Sequence, residues 1–174
     1  MKTRDLTVTA LLIALTTVAT MVVRIPVPAT QGYINLGDSL VYIAALLFGP
    51  LTGLIAGGVG SALADLLGGY TQFAPYTLVI KGLEGLLVGL VAWRLTRGPT
   101  ATAGGVAAAV LAILIGGAVM VGGYFVAEAF IMGLGTSAAG AEVPGNIFQV
   151  AGGLVVAIPA ALLLRGLVPS RRAP

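Results

Sequence analysis

Cysteine and histidine are both absent from this chain of 174 residues. Without cysteine, the protein has no disulfide, no thiolate metal site and no cysteine nucleophile. Without histidine, it has no Ser-His-Asp triad and lacks the side chain that normally titrates near neutral pH. The sequence also contains no GxxxxGK[ST] phosphate-binding loop, so the chain does not use ATP by itself through that motif. These absences exclude most familiar enzyme chemistry, and the residues imply neither a metal nor a cofactor.

Charge is scarce as well, since only 9% of the residues are charged and 58% are hydrophobic. Soluble domains average about 25% charged and about 45–50% apolar residues. Long apolar runs separated by short polar stretches are typical of an all-α integral membrane protein. At about 20 residues per span, the chain has room for six helices and no soluble domain. We therefore predict a single transmembrane domain over residues 1–174.

The apolar runs predict six transmembrane helices, over residues 6–24, 38–48, 50–67, 76–93, 101–130 and 145–167. The first run is followed by Arg24 and Pro26 in place of a small-residue cleavage site, which favours a membrane helix over a signal peptide. Proline, glycine and asparagine predict a loop over residues 25–37. A run rich in glycine, serine and alanine predicts a second long loop over residues 132–144.

Basic residues predict the orientation of the bundle. If the N-terminus, the connection at residues 94–99 and the C-terminal tail share one side, that side carries seven of the nine basic residues, namely Lys2, Arg4, Arg94, Arg97, Arg165, Arg171 and Arg172. The other side and its helix ends carry Arg24 and Lys81. By the positive-inside rule, both termini are cytoplasmic. The net charge of +3 then reflects membrane topology and gives no indication of a nucleic-acid partner.

Polar residues from five predicted helices reach the opposite, outer end of the bundle. They are Asp38, Asp65, Lys81, Glu84, Tyr124, Glu128, Asn146 and Gln149. A charge near the bilayer centre costs about 2.5–3.5 kcal/mol on insertion scales, so such residues pair with each other or face a cavity. One interpretation is a structural ion pair of Lys81 with Glu84 or Asp65. The number of contributing helices favours the other, a binding pocket.

Aromatic residues are also concentrated near the outer side, where the sequence places Tyr33, Tyr70, Phe73, Tyr76 and Tyr124. An interfacial aromatic belt is one explanation. A pocket that stacks a planar ligand is the other, and the small number of aromatic residues at the opposite interface favours it.

Small residues form two rows at helical spacing. Gly49, Gly53, Gly57 and Ser61 recur every four positions and predict close helix packing. Ala10 and Ala14 form a second row on the first helix, with Thr7 and Thr17 expected on the same face. From spacing alone, this second row fits packing within the bundle somewhat better than docking to another protein.

Several segments resemble the substrate-binding S components of energy-coupling-factor (ECF) vitamin transporters, in the group of families named for riboflavin. The segments are Gly32-Tyr-Ile-Asn-Leu-Gly-Asp38, Leu47-Phe-Gly-Pro50-Leu-Thr-Gly53, Gly60-Ser-Ala-Leu-Ala-Asp65-Leu-Leu-Gly-Gly-Tyr70, Ala74-Pro-Tyr-Thr77-Leu-Val-Ile-Lys81-Gly and Glu142-Val-Pro-Gly-Asn146-Ile-Phe-Gln149. The similarity extends over essentially the whole chain. The Phe-Gly-Pro-x-x-Gly turn is common among S components, and the combined run from Gly32 to Gly85 is more specific.

The resemblance implies a six-helix bundle in a prokaryotic cell membrane that binds a vitamin or vitamin precursor on its outer side. The implied substrate-binding residues are Asn35, Asp38, Asp65, Tyr70, Gln72, Tyr76, Lys81, Glu84, Tyr124, Glu128, Asn146 and Gln149. The family's Ala-x-x-x-Ala motif matches Ala10 and Ala14, which would contact the transmembrane T component. Two cytosolic ATPase subunits complete such a transporter, and the S component delivers its ligand inward by toppling within the membrane.

The first-loop sequence from Asn35 to Asp38 differs from the pattern of dedicated riboflavin binders. The charged side chains suit a ligand with ionisable or strongly polar groups, such as a pyridoxine-like, pyrimidine-like or ribosylated compound.

Two other functions fit the same residues. One is a self-sufficient carrier or channel that oligomerises through the row from Gly49 to Ser61. The other is a small intramembrane enzyme that uses Asp65, Glu84 or Glu128 as acid or base. The absence of histidine and of any metal-ligand motif argues against the enzyme.

Overall fold

The computed structural model describes residues 3–96 and 103–167 and confirms the six-helix bundle. The elements in chain order are α1 (Thr3–Val22), β1 (Arg24–Val27), β2 (Gly32–Asn35), α2 (Gly37–Phe48), α3 (Pro50–Gly68), α4 (Ala74–Thr96), α5 (Ala103–Val126), a π-helical turn (Ala127–Ile131), α6 (Thr136–Leu164) and a 3-10 turn (Arg165–Leu167). Four stretches are long and apolar enough to cross a membrane, namely Thr3–Val22, Pro50–Gly68, Gly105–Ile131 and Thr136–Leu164. Residues 101–102, expected in the fifth helix, lie outside the described ranges.

The short helix α2 lies at the centre of the bundle. It has 12 residues, and ten of them are buried. Tyr42 and Leu46 are fully buried and belong to the main apolar cluster, which also includes Ile113 and Met120 of α5. An apolar helix of this length is too short to span a bilayer by itself and is typical of a buried core helix.

The segment predicted as a loop between the first two helices forms an antiparallel β-hairpin. Arg24 pairs with Asn35 and Val27 with Gly32. Within the described residues, the sheet consists of two strands, so both are edge strands. Pro26 has no N–H to donate, and an edge strand tolerates this. At the turn, the Thr30 amide donates a hydrogen bond to the Val27 carbonyl. The hairpin folds over one end of the bundle.

The sixth helix begins earlier than the sequence predicts, at Thr136 in place of residue 145. The expected loop over residues 132–144 is therefore mostly helical, and Pro144 lies inside α6. Proline is tolerated within membrane helices because neighbouring groups satisfy the backbone carbonyl that it frees. As a consequence, Glu142 is a buried helical residue and does not belong to an exposed loop.

Glycines bring α3 and α4 into backbone contact. A Cβ atom added to Gly57 would lie 2.6 Å from the Lys81 carbonyl oxygen, and one added to Gly58 would lie 2.6 Å from the Leu78 carbonyl oxygen. Gly53 faces Gly85 in the same way. The predicted row of small residues is thus used inside the chain, so it is not a free surface for oligomers of a self-sufficient carrier.

The two ends of the bundle differ in character. Arg4 of α1 and Leu164 of α6 line one groove, while Asp5 and Trp93 line a pocket beside it. The start of α1 and the ends of α4 and α6 therefore share one end, and the hairpin lies at the other. Four basic residues of the orientation argument lie outside the described ranges, namely Lys2, Arg97, Arg171 and Arg172. The cytoplasmic location of the termini stays a prediction.

We expect Gly57→Ala to destabilise the bundle by about 1–3 kcal/mol, because its methyl group would overlap the backbone of α4. The measurement is thermal unfolding in detergent, followed by size-exclusion chromatography. Gly122→Ala is the matched control, since a Cβ atom at Gly122 has nothing within 4 Å. Equal melting temperatures for the two variants would contradict the proposed packing.

Candidate ligand-binding site

A polar cavity lies beneath the hairpin, at the end of the bundle opposite Arg4 and Arg94. Its water-accessible volume is about 30 Å³, and it opens partly to the surrounding solvent. The hairpin, α1, α3, α4, α5 and α6 contribute its lining residues, which are Thr20, Gly32, Tyr33, Asn35, Ser61, Asp65, Phe73, Thr77, Lys81, Tyr124, Glu142, Asn146 and Gln149. Six of them belong to the set expected from the resemblance, namely Asn35, Asp65, Lys81, Tyr124, Asn146 and Gln149.

Lys81 is held by two carboxylates at the base of this cavity. Its Nζ atom forms an ion pair with Asp38 and another with Glu84 Oε2 at 3.0 Å. The exposed fractions of the three side chains are 2%, 1% and 0%. From the sequence, Glu84 or Asp65 was expected to form the ion pair with Lys81. In the structure, Lys81 pairs with Asp38 and Glu84. Asp38 and Glu84 lie behind Lys81 and do not line the cavity.

Further hydrogen bonds extend this ionic cluster to other elements. Tyr42 donates to Glu84 Oε1 at 2.7 Å, and Gln149 Nε2 donates to Asp38 Oδ2 at 2.9 Å. The side-chain oxygen of the same Gln149 accepts a bond from the Asn35 backbone amide at 2.7 Å. The cluster therefore connects α2, α4 and α6 with the end of the hairpin. Removing one partner would leave an uncompensated buried charge, which typically costs 3–5 kcal/mol.

The hairpin is fastened to α3 by Tyr33 and Arg24. The Tyr33 hydroxyl donates to Asp65 Oδ1 at 2.5 Å. Burial, together with the negative charge of Asp65, raises the pKa of Tyr33 above its ordinary range, so the phenol keeps the proton that it donates. The Arg24 guanidinium lies 4.8 Å from the centre of the Tyr33 ring and donates to the Ala64 carbonyl at 3.0 Å. Tyr70 stacks on Tyr33 with ring centres 4.4 Å apart, at the rim of the cavity.

Two glutamates on neighbouring elements adjoin the cavity on its α5–α6 side. Glu128 lies in the π-helical turn, a rare element that often marks functional sites. Glu142 of α6 lines the cavity and accepts a hydrogen bond from the Thr30 hydroxyl. The two carboxyl groups interact electrostatically with each other. In the part of the chain that the structure describes, the polar group beside the Glu128 carboxyl group is the Glu142 carboxyl group.

Six expected residues do not line the cavity, namely Asp38, Tyr70, Gln72, Tyr76, Glu84 and Glu128. Gln72 is exposed to solvent, in the connection between α3 and α4. Tyr76 is half-buried and packs against the apolar cluster. Tyr124 does line the cavity, and its hydroxyl donates to Thr77 Oγ1 at 3.0 Å.

Seven lining residues were absent from the expected set, namely Thr20, Gly32, Tyr33, Ser61, Phe73, Thr77 and Glu142. Tyr33 and Phe73 carried a signal, because both belong to the group of aromatic residues near the outer end. Thr77 was also detectable, since it lies one turn before Lys81 on the same face of α4. Thr20 and Ser61 gave no signal, because a single hydroxyl within an apolar helix is common in membrane proteins.

The expected docking residues lie on the outside of α1. Ala10 and Ala14 are both exposed. Thr17, expected on the same face, is buried and donates to the Gly60 carbonyl of α3 at 2.8 Å. Threonines therefore form the inner face of α1, while the alanines form part of an outer face with no neighbour among the described residues.

Comparison with known sequences identifies relatives over most of the chain. A protein of Pyrococcus woesei with no assigned function is 47% identical over 140 residues, which cover 80% of this chain and 87% of the relative. The thiamine precursor transporter HmpT of Lactococcus lactis subsp. cremoris is 34% identical over 155 residues, which cover 88% of this chain and 83% of the relative.

Solved structures show a similar fold. The S component of a bacterial ECF transporter aligns with a TM-score of 0.69, at 19% identity, over 97% of this chain and 99% of the other. The sequence model described as the S component of ECF-type riboflavin transporters matches residues 1–166. The chain therefore belongs to the family of S components of ECF-type riboflavin transporters.

Proposed function

We propose that this protein captures a vitamin or vitamin precursor in the cavity beneath its hairpin and delivers it across a prokaryotic cell membrane. As a family member, the protein is a multi-pass transporter component and not an enzyme. It works with a transmembrane T component and two cytosolic ATPase subunits, because the chain itself has no phosphate-binding loop.

The polar cavity beneath the hairpin is the observation that carries the proposal. Buried polar groups within a membrane bundle are costly and mark ligand sites or structural pairs. Lys81 with Asp38 and Glu84 accounts for one structural cluster. Asp65 of α3 and Asn146 and Glu142 of α6 also line the cavity. The ion pairs of Lys81 do not involve these three side chains, so they do not explain why the side chains are buried there. A binding site accounts for their burial.

The chemistry of the lining favours a small, polar, nitrogen-containing ring as the ligand. Amide side chains at Asn35, Asn146 and Gln149 offer both donors and acceptors, while Asp65 and Glu142 are acceptors when ionised. Among the pyridoxine-like, pyrimidine-like and ribosylated compounds that the residues suit, the pyrimidine type is favoured by the relative named as a thiamine precursor transporter. Riboflavin, which gives the family its name, is the competing ligand in the test below.

Delivery requires a second surface, and the exposed alanines of α1 provide it. Ala10 and Ala14 leave a shallow, apolar strip against which a helix of the T component can pack closely. With the termini in the cytoplasm, the cavity faces outward. We infer that the S component carries its ligand inward by toppling within the membrane.

Native mass spectrometry of protein purified from cells grown in rich medium tests the proposal. We expect one small molecule per chain, released as a vitamin or vitamin precursor. A thermal-shift screen with riboflavin, thiamine, pyridoxine and an aminopyrimidine precursor follows if the purified chain is empty. Absence of binding in both measurements, or uptake of the ligand by cells without ECF ATPases, would contradict this function.

We expect Asn146→Ala to weaken ligand binding about three- to tenfold, the effect of one lost hydrogen bond of about 0.5–1.5 kcal/mol. Isothermal titration calorimetry in detergent measures the change. Gln72→Ala is the matched amide control, since Gln72 is exposed outside the cavity. Lys81→Ala should instead lower the melting temperature of the empty protein, because it leaves Asp38 and Glu84 unpaired. Full stability of Lys81→Ala would argue against a structural role.

Ala14→Leu should retain ligand binding and lose transport, because the larger side chain fills the strip on α1. Co-purification with the T component and uptake of radiolabelled ligand measure the two effects. Ala107→Leu introduces the same change at an exposed position of α5 and should preserve both activities. Equal losses in the two variants would show that the α1 strip has no special role.

A further inference from the structure

The acidic side chains around the cavity outnumber the basic ones. The acidic residues are Asp38, Asp65, Glu84, Glu128 and Glu142, and the basic residues are Lys81 and Arg24. Lys81 pairs with Asp38 and Glu84, while Arg24 acts electrostatically on Asp65. No ion pair joins Glu128 or Glu142 to a basic side chain within residues 3–96 and 103–167. The described residues therefore supply no compensating charge to these two carboxyl groups.

The two glutamates are also deeply buried, and their carboxyl groups interact with each other. Only 1% of Glu128 and 4% of Glu142 is exposed. Glu142 receives one hydrogen bond, from the Thr30 hydroxyl of the hairpin, and also faces the cavity. Among the described residues, no N–H or O–H group other than the Glu142 carboxyl group lies in position to donate to Glu128. The two glutamates interact with each other, and Glu142 also accepts the hydrogen bond from the Thr30 hydroxyl.

Two ionised carboxylates in this position would strongly repel each other. At about 4 Å and an effective dielectric constant of about 20, the repulsion between two unit charges is about 4 kcal/mol. Burial adds a desolvation cost for each of them. One positive charge between them removes most of both terms, either as a proton shared by the carboxyl groups or as a cation supplied from the cavity.

We propose that Glu128 and Glu142 share one proton in the empty protein and transfer it to a ring nitrogen of an amino-substituted heterocycle when the ligand binds. The carboxylic O–H bond breaks and an N–H bond forms on the ring. The ring then carries the positive charge and donates from its amino group and its protonated nitrogen to the carboxylates. This pairing of an amidinium-type ring with two carboxylates restricts the ligand to amino-substituted rings. The proposal rests on the proposed function and specifies its ligand class.

A matched pair of ligands tests the proposal. The probes are 4-amino-5-hydroxymethyl-2-methylpyrimidine and its analogue with an oxo group in place of the amino group. We expect the amino compound to bind at least tenfold more tightly to the unaltered protein. Glu128→Gln and Glu142→Gln should each reduce this preference to less than threefold. Asp5→Asn, a carboxyl-to-amide change at the opposite end of the bundle, should preserve it.

Infrared difference spectroscopy tests the shared proton without relying on affinity. The empty protein should show the carbonyl stretch of a protonated carboxyl group, and this band should disappear when the amino compound binds. Both glutamine variants should lack the shift but melt at or above the temperature of the unaltered protein, since a neutral amide that can donate a hydrogen bond replaces the protonated carboxyl group of the pair. An unchanged band on binding, or equal affinity for the two probes, would overturn the proposal.

The outcomes separate this inference from the proposed function. If riboflavin or another vitamin binds but the amino compound does not, the protein is a vitamin-binding subunit and the role of the glutamate pair is refuted. If no vitamin or precursor binds at all, both proposals fail. If the amino compound binds with its preference intact in both glutamine variants, only the inference fails.

Discussion

The buried ammonium group of Lys81 is the interaction on which the rest of the structure depends. Asp38 lies in the first turn of α2, Glu84 lies one turn after Lys81 on α4, and Lys81 neutralises part of their combined charge. Without this cation, two carboxylates would lie in the apolar centre of a membrane bundle. The cluster also orients Gln149, which fixes the last residue of the hairpin through the Asn35 amide. One side chain thereby sets the relative positions of three helices and of the segment that covers the cavity.

Close packing of backbone against backbone supports this arrangement elsewhere. Glycines at the α3–α4 contact allow the carbonyl of Lys81 to approach Gly57 directly, so the helix that carries the cation is held without bulky side chains between the two backbones. Membrane helices gain little from the hydrophobic effect against lipid, and dispersion contacts over short distances are the main substitute. The polar cluster and the glycine contact act on the same turn of α4. The polar cluster compensates the charge of Lys81, and the glycine contact sets how closely this turn of α4 approaches α3.

The sequence allows prediction of the helices and of the level at which polar residues gather, because both follow from hydropathy and spacing. It does not reveal that Lys81 binds Asp38, a residue 43 positions away, since helical periodicity relates only neighbours on one helix. The hairpin was missed because its strands are four residues each and because β1 contains a proline. The early start of α6 was missed because Pro144 and the surrounding glycines are typical of loops in water. Glu142 was consequently assigned to a loop, although it is a buried charge in the cavity wall.

The central helix α2 also bears on whether ions can pass through the bundle. Its lower part, Val41 to Leu47, is almost wholly buried among apolar side chains of the other helices. With 12 residues at about 1.5 Å each, α2 extends about 18 Å, and a bilayer's hydrocarbon core is about 30 Å thick. The bundle therefore holds a polar cavity at one end, and apolar side chains fill the space below it. Within the residues that the structure describes, the polar cavity does not extend into this apolar cluster, so we expect an empty copy of the protein to conduct no ions across the membrane.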